Sequence, residues 1–410
     1  MSLREPRRPV IFVPVYFGYE RLFEGRSYVS ELSGRPKQKE TLLGLVKAVR
    51  GLRQQFGRVF VNFGEPLSID EVLDAHRPGW RDEPLGFDDK PVWVNPAVED
   101  LGSRILERIN AAAAVNPVNL LATVLLATPR QSMVEQPLVN LLDKFAELQR
   151  RAPYGELVTV TGMDGGQMIE YGEQLGLLRR QPHRLGDILS LADREAVLAT
   201  YFRNNVAHLF ALPSLVACCF LDKSVLAKER VRGLVRMVYP YLAGELHLCW
   251  AEDELDAVVD RATQALVDLG LLRLDESGAE PCFIRPPDTA AEAIQLWTLA
   301  QCSLQTVERF YVTAALLSQH GPGVLKPAQL EDLCHLMAQR MSILYQFSAP
   351  EFFDKGLFRG FISRLRGHGI LQTNDDGNLV YDERLVRAME DARIILGERL
   401  RHDILQAISL

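Results

Sequence analysis

The run Arg8–Tyr16 (RPVIFVPVY) is nearly continuous apolar chain, bounded by basic residues and by Gly18. That pattern predicts a strand buried on both faces, as in an α/β sheet. From Thr41, the residues Leu42, Leu45, Val46, Val49, Leu52 and Phe56 recur at helical spacing, with Lys47, Arg50 and Arg53 left on the polar side. Gly57 stops this helix, and Arg58–Phe63 (RVFVNF) reads as a second strand closed by Gly64, Glu65 and Pro66. Two strands cannot make a stable sheet alone. The expectation is therefore an α/β domain whose beginning lies outside the chain.

Residues 71–97 carry Pro78, Pro84, Pro91 and Pro96 with Trp80 and Trp93. They read as an irregular surface linker with both tryptophans docked as anchors. From about Val98 the pattern turns helical. Ala111–Thr128 and Val206–Leu221 are apolar but interrupted by Asn116, Pro117, Asn119, His208, Pro213 and Ser214, which suits buried helices better than membrane spans. A weak repeat runs through this part. Gly176, Gly270 and Gly369 each end an amphipathic helix and precede a polar turn and a short second apolar run. Helix, glycine stop and small hairpin resemble a winged-helix-like unit used three times. The fold class expected is α+β, mainly α. Its parts are the end of an α/β domain (1–70), a linker (71–97), a helical segment (98–155) and a helical region with three helix-hairpin units (156–410).

Composition adds little: 47% hydrophobic and 24% charged residues describe an ordinary globular chain. Charge adds more. The net value is −7, yet residues 1–60 hold twelve Lys/Arg against five Glu, so that segment is basic on an acidic body. A basic end suggests an anionic partner: a phospholipid surface, a phosphate or CoA ligand, or an acidic carrier protein. Nucleic acid is a poor fit. The second turn of the repeat carries Asp275, Glu276 and Glu280, and the third Asp375 and Asp376, where backbone binding would need cations. The six cysteines form no Cys-x-x-Cys pair, and the expectation is reduced core thiols without a metal. Glycine-rich phosphate loops are absent from the sequence.

None of the eight histidines has an aspartate five positions on; His247 with Glu252 comes nearest and reads as a gap between helices. Arg203, Asn204, Asn205 and His208 stand out as polar residues in an apolar stretch. Asn204 and His208, four apart, would share a helix face and pair structurally or line a channel. Ser348–Glu351 (SAPE) reads as a capping box opening a helix.

Val10–Glu20 (VIFVPVYFGYE) resembles the fourth conserved block of the glycerolipid acyltransferases. The series continues through Glu31–Gly34 (ELSG), Lys37–Glu40 (KQKE) and Val61–Pro66 (VNFGEP), then Arg108–Asn110 with Asn116 and Asn119. It ends with Arg203–Asn205 plus His208, and Ala349–Lys355 (APEFFDK). In this order the chain is similar to the carboxy-terminal part of bacterial membrane-bound glycerol-3-phosphate acyltransferases. The resemblance implies acyl transfer from acyl-CoA or acyl-carrier protein to glycerol 3-phosphate, the first step of phospholipid synthesis. It implies no cofactor, and a peripheral place on the cytoplasmic face of the bacterial inner membrane, against an anionic surface. In that chemistry a histidine, oriented by an aspartate five residues on, deprotonates the hydroxyl. The blocks that carry this pair have no counterpart here, so no catalytic residue is assigned and the chain alone is expected to be inactive. Val13, Pro14, Val15 and Tyr16 carry over as residues shaping the substrate pocket. Lys37 and Lys39 are added as contacts to phosphate or CoA. The alternative is a non-catalytic scaffold module that binds a membrane or partner through its basic end.

Overall fold

A computed structural model describes residues 9–22, 57–82, 91–192, 196–345 and 354–408. The apolar run that opens the chain forms two short strands, β1 (Ile11–Phe12) and β2 (Val15–Tyr19). Pro14 sits between them, where a residue without an amide hydrogen interrupts a ladder. β3 (Val59–Phe63) pairs antiparallel with β2, and β4 (Leu67–Ser68) antiparallel with β1. Among the described residues the expected two-sided burial is not found. Phe17, Tyr19, Val59, Val61 and Phe63 face outward with Ile11 and Val13, whereas Tyr16, Gly18 and Phe60 face the body. A continuous apolar run carries no alternation, so the sequence could not show that one face is open. The helix expected over 41–56, Lys37, Lys39 and Ser348–Glu351 lie outside the described residues.

The segment expected to be irregular is partly helical. Ser68 caps α1 (Ile69–His76) by accepting the Asp70 amide, a 3-10 turn spans Trp80–Asp82, and α2 (Val94–Ala111) begins before Pro96. Proline is tolerated in a first helical turn, because the missing donor would be unbonded there anyway. Trp80 is buried and Trp93 packs beside it, with Leu73 and Ala97 completing a small separate core.

Beyond α2 the chain is mainly helical. β5 (Ala114–Val115) leads into α3 (Pro117–Leu126), whose described positions through Leu125 are all buried. β6 (Ser132–Val134), α4 (Glu135–Arg151), β7 (Thr159–Val160), α5 (Gly165–Gln174), β8 (Leu178–Gln181) and β9 (Ile188–Leu191) follow. β7 pairs parallel with β5, while β6, β9 and β8 form an antiparallel sheet. After α6 (Ala196–Asn204) and α7 (Ala207–Cys218) the pattern recurs: β10 (Val225–Ala227), α8 (Lys228–Leu246), α9 (Leu255–Asp268), β11 (Arg273–Asp275) and β12 (Cys282–Ile284). A third instance follows α10 (Ala291–His320): α11 (Pro327–Tyr345), α12 (Lys355–Gly367), β13 (Leu371–Thr373) and β14 (Leu379–Tyr381). There Leu325 and Gly323 bond the backbone of Leu379, in the place of a third strand. α13 (Glu383–Leu396) and α14 (Glu398–Ile408) close the described chain. The glycine stops have φ of 72°, 72° and 67° at Gly176, Gly270 and Gly369. That region suits glycine because a Cβ would crowd the following carbonyl.

α7 is the centre of the body. His208 through Cys218 are all buried, as expected for a helix apolar all round. Small residues let α10 lie close along it: Ser214 donates to the Ala300 carbonyl at 3.2 Å and accepts the Ser303 amide at 2.9 Å. Among the described residues no helix is long and apolar enough to cross a membrane. Cys218, Cys219 and Cys334 are buried free thiols, as the sequence suggested, but Cys249 is exposed.

Candidate functional site around the Val13–Tyr16 strand

The β2–β3 pair is fixed to the body through backbone carbonyls. Tyr16 is 5% exposed, and its hydroxyl donates to the Ala114 carbonyl at 3.4 Å. Burial pushes this phenol well above its ordinary range, so it stays protonated and available as a donor. Across the ladder, Asn62 donates to the Ala112 carbonyl at 3.0 Å and to the Thr159 hydroxyl at 3.2 Å. The Gly64 amide bonds the Pro14 carbonyl at 2.8 Å, and a Cβ on Gly64 would meet the Arg108 carbonyl at 2.6 Å. Arg108 in turn donates to the carbonyls of Glu65 and Pro66. At the far end of β2 the buried Glu20 accepts the Arg58 amide and the Tyr171 hydroxyl, linking the strand to α5. Burial first, and then this carboxylate, push Tyr171 up to about 12.

The other polar residues noted in the sequence continue this seam inward. Asn110 donates to the carbonyls of Leu246 and His247 at 2.8 and 3.0 Å, where α8 ends in a left-handed His247. The Asn110 carbonyl lies 3.0 Å from His208 Nε2. His208 is buried against the edge of Tyr154, and desolvation pulls its pKa down to about 4, which keeps the imidazole neutral. Asn116 and Asn119 cap each other in a box at the start of α3, and Asn119 also donates to the Phe202 carbonyl at 2.8 Å. Asn204 and His208 do not share one helix: α6 ends at Asn204 and α7 starts at Ala207. Arg203 turns to the Asn204 side-chain oxygen. Asn110, Asn119 and His208 thus bond across to α6, α7 and α8, whereas the buried Nδ2 atoms of Asn116 and Asn205 have no hydrogen-bond partner.

Of the candidate substrate-binding residues, the fold brings Val13, Pro14, Val15 and Tyr16 together but on two faces. Pro14 and Tyr16 are buried toward the body, and Val13 is exposed. Sequence spacing also missed a histidine–carboxylate pair. His76 Nε2 lies 3.1 Å from Asp100, whose other oxygen takes Arg104 at 2.9 Å. Burial raises the Asp100 pKa, but the bonds from Arg104 and His76 outweigh it and the net shift is downward. The partners stand 24 positions apart, so a fixed short spacing could not find them. The pair joins the end of α1 to α2, beside the small tryptophan core. Among the described residues no three His, Cys, Asp or Glu side chains cluster as metal ligands.

Residues 28–374 match the family described as glycerol-3-phosphate acyltransferase C-terminal region. The chain belongs to this family. It is 45% identical to a glycerol-3-phosphate acyltransferase of Pseudomonas paraeruginosa across 98% of this chain and 48% of that protein. The like-named protein of Xanthomonas axonopodis pv. citri is 44% identical over 98% of this chain and 46% of its own length. That of Pseudomonas fluorescens is 43% identical, again over 98% and 48%. The chain thus spans about half the length of the curated relatives it matches. The family match includes β3, the Asn110–His208 seam, the first two helix-hairpin units and the third as far as β13.

Proposed function

We propose that this chain works as the carboxy-terminal half of a glycerol-3-phosphate 1-O-acyltransferase, which moves a fatty acyl group from acyl-CoA or acyl-carrier protein to glycerol 3-phosphate. The observation that carries the reading is the identity to enzymes of that name along 98% of the chain. The open apolar face of β1, β2 and β3 supports it. Monomers rarely leave so many large apolar residues side by side, and such patches mark surfaces to be covered. In this reading the other half of the enzyme packs on that face and brings the base that deprotonates the glycerol hydroxyl. The alkoxide oxygen then attacks the thioester carbon, and the thiolate leaves. Val13 lines the pocket from the open face, Pro14, Val15 and Tyr16 hold the strand that presents it, and Lys37 and Lys39 contact phosphate or CoA. The three helix-hairpin units act as winged-helix-type packing modules. The assembled enzyme sits peripherally on an anionic membrane surface.

The test is thioester release from palmitoyl-CoA with glycerol 3-phosphate. The purified chain is expected to show none, and to gain turnover when the amino-terminal half of the Pseudomonas relative is supplied separately. Turnover by the chain alone would refute its dependence on the other half. Lack of restoration, with both halves folded and bound, would refute the acyltransferase assignment.

A further inference from the structure

A recess lies at the start of α10, apart from the strand motif. α7 runs on into Phe220 and Leu221, Arg285 follows β12, and the first turns of α10 present Ala293, Ile294 and Trp297. These side chains line a half-open space of about 250 Å³. Ile294 and Trp297 are three positions apart, so they share a helix face, and they are 57% and 41% exposed. An apolar cavity of roughly 150 Å³ accepts a benzene ring. This one has room for a ring and a short arm beyond it.

The chemistry of that arm is set by Arg285. Its Nη1 donates to Asp288, whose side chain is 80% exposed. Among the described residues the guanidinium makes no other bond, and its Nε is buried without an acceptor. An N–H sealed from water with nothing to bond is costly, and arginine cannot shed its charge. Elsewhere in this chain the Nε–Nη2 edge holds a carboxylate. Arg359 takes Glu331 at 2.9 and 2.6 Å, and Arg232 and Arg236 take Asp260 and Asp256 in the same way. Such paired bonds from a cation to an anion are among the strongest that side chains make. On Arg285 that edge is unbonded. The start of α10 favours an anion too, because Ala290 gives its amides no side-chain cap and the helix dipole is positive there. Glu292 of the same turn does not line the recess.

We propose that this recess binds a small carboxylate with an aromatic body, the carboxylate on the Nε–Nη2 edge of Arg285 and the ring against Trp297 and Phe220. Turning the guanidinium toward the mouth gives up only the bond to Asp288. Nothing here depends on acyl transfer, so a failed turnover assay leaves it standing, and the reverse holds. The experiment is calorimetric titration of the whole chain with 3-phenylpropionate at neutral pH. Saturable one-to-one binding is expected, with the uncharged 3-phenylpropanol weaker by roughly tenfold. Arg285→Lys keeps the charge but loses the fork. It should weaken 3-phenylpropionate several-fold and leave 3-phenylpropanol unchanged, with circular dichroism and Tm like wild type. Asp288→Asn removes the competing carboxylate and should tighten binding. If Arg285→Lys does not fold, Ala293→Leu, which fills the recess, should abolish binding in its place. The proposal is overturned by absence of saturable binding, by equal affinity for the acid and the alcohol, or by unchanged affinity in the folded Arg285→Lys or Ala293→Leu variant. Displacement by an equal concentration of inorganic phosphate also overturns it, because the apolar wall would then count for nothing. So does a dimer in sedimentation that Trp297→Ala dissolves and 3-phenylpropionate does not, because the occupant would then be a second copy.

Discussion

Replacing Asn119 by alanine should be among the most costly single changes in the helical body. Asn119 is fully buried, and its amide hydrogen and side chain make three bonds. Its amide meets Asn116 Oδ1 at 2.9 Å, its Oδ1 accepts the Asn116 amide at 3.0 Å, and its Nδ2 donates to the Phe202 carbonyl at 2.8 Å. The variant keeps the first and loses the other two. Neither orphan finds a ready substitute. The Asn116 amide opens a helix, where no intrahelical acceptor exists. The Phe202 carbonyl is bypassed by the next amides, since Asn205 bonds Tyr201 and Val206 bonds Arg203. A buried polar group left unbonded costs about 1–3 kcal/mol, so the two together should cost roughly 2–5 kcal/mol. Thr123→Val is the control. Thr123 donates to the Asn119 carbonyl at 2.7 Å, but that carbonyl can keep its helical partner. Loss of this bond should cost no more than about 1 kcal/mol. Urea unfolding followed by both far-UV circular dichroism and tryptophan fluorescence would measure the difference, with coincident transitions as the check on two-state behaviour. If Asn119→Ala costs no more than Thr123→Val, the seam is not what joins α3 to α6.

Three further outcomes are expected. Gly64→Ala should destabilise by about 1–3 kcal/mol, because its Cβ would press on the Arg108 carbonyl and on Pro14; thermal unfolding reads this. Gly270→Ala and Gly233→Ala should move Tm in opposite directions, although neither new methyl group meets an atom within 4 Å: Gly270 holds φ at 72° and Gly233 lies inside α8. His208 and Glu308 should tilt stability in opposite senses with pH. His208 is depressed from 6.5 to about 4, so its contribution is full above 6.5 and fades as pH falls to 4, on the order of 3 kcal/mol. Glu308 is raised by burial from 4.5 to about 8, so its contribution is full below 4.5 and fades as pH rises to 8. His208→Gln and Glu308→Gln should flatten the acid and alkaline limbs of a Tm–pH profile respectively; a limb left unchanged would contradict the assignment for that residue.

Local signals carried the parts of the fold that local chemistry decides. A glycine that must turn left-handed is visible as Gly176, Gly270 or Gly369 at the end of a periodic stretch. A buried helix such as α7 is visible because, apart from His208 and Ser214, its side chains do not belong in water. The misses are of another kind. α1 hides near prolines because its start depends on one cap, Ser68, and a short helix gives little periodicity. The break between Asn204 and Ala207 carries no proline or glycine; Asn119, some 80 residues earlier, bonds the end of α6 there. The buried ion pairs were equally hidden. Arg309 meets Glu245 from α8, and Arg364 from α12 reaches the same carboxylate. Each partner looks like an ordinary surface charge until the helices cross.

The two faces of the β2–β3 pair explain why a strand motif can be strongly constrained and still incomplete. On the body side, Tyr16 and Asn62 bond main-chain carbonyls and Thr159, and Gly64 approaches the Arg108 carbonyl closely. Carbonyl acceptors fix position without depending on neighbouring side chains, so the strand is held in register by the backbone of the body. The opposite face has the reverse character. Phe17 stands opposite Val61 and Tyr19 opposite Val59, with Phe63 66% exposed at the end of the ladder. Covering side chains of this size stabilises by about 1.5–3 kcal/mol each, more than exposed ion pairs provide. Among the described residues nothing covers this face, and the pocket proposed for Val13 would form there. In the proposed assembly, Val61→Asp should abolish capture of the separately supplied amino-terminal half while leaving the urea unfolding of the chain, and so the Asn119 and His208 seam, unchanged.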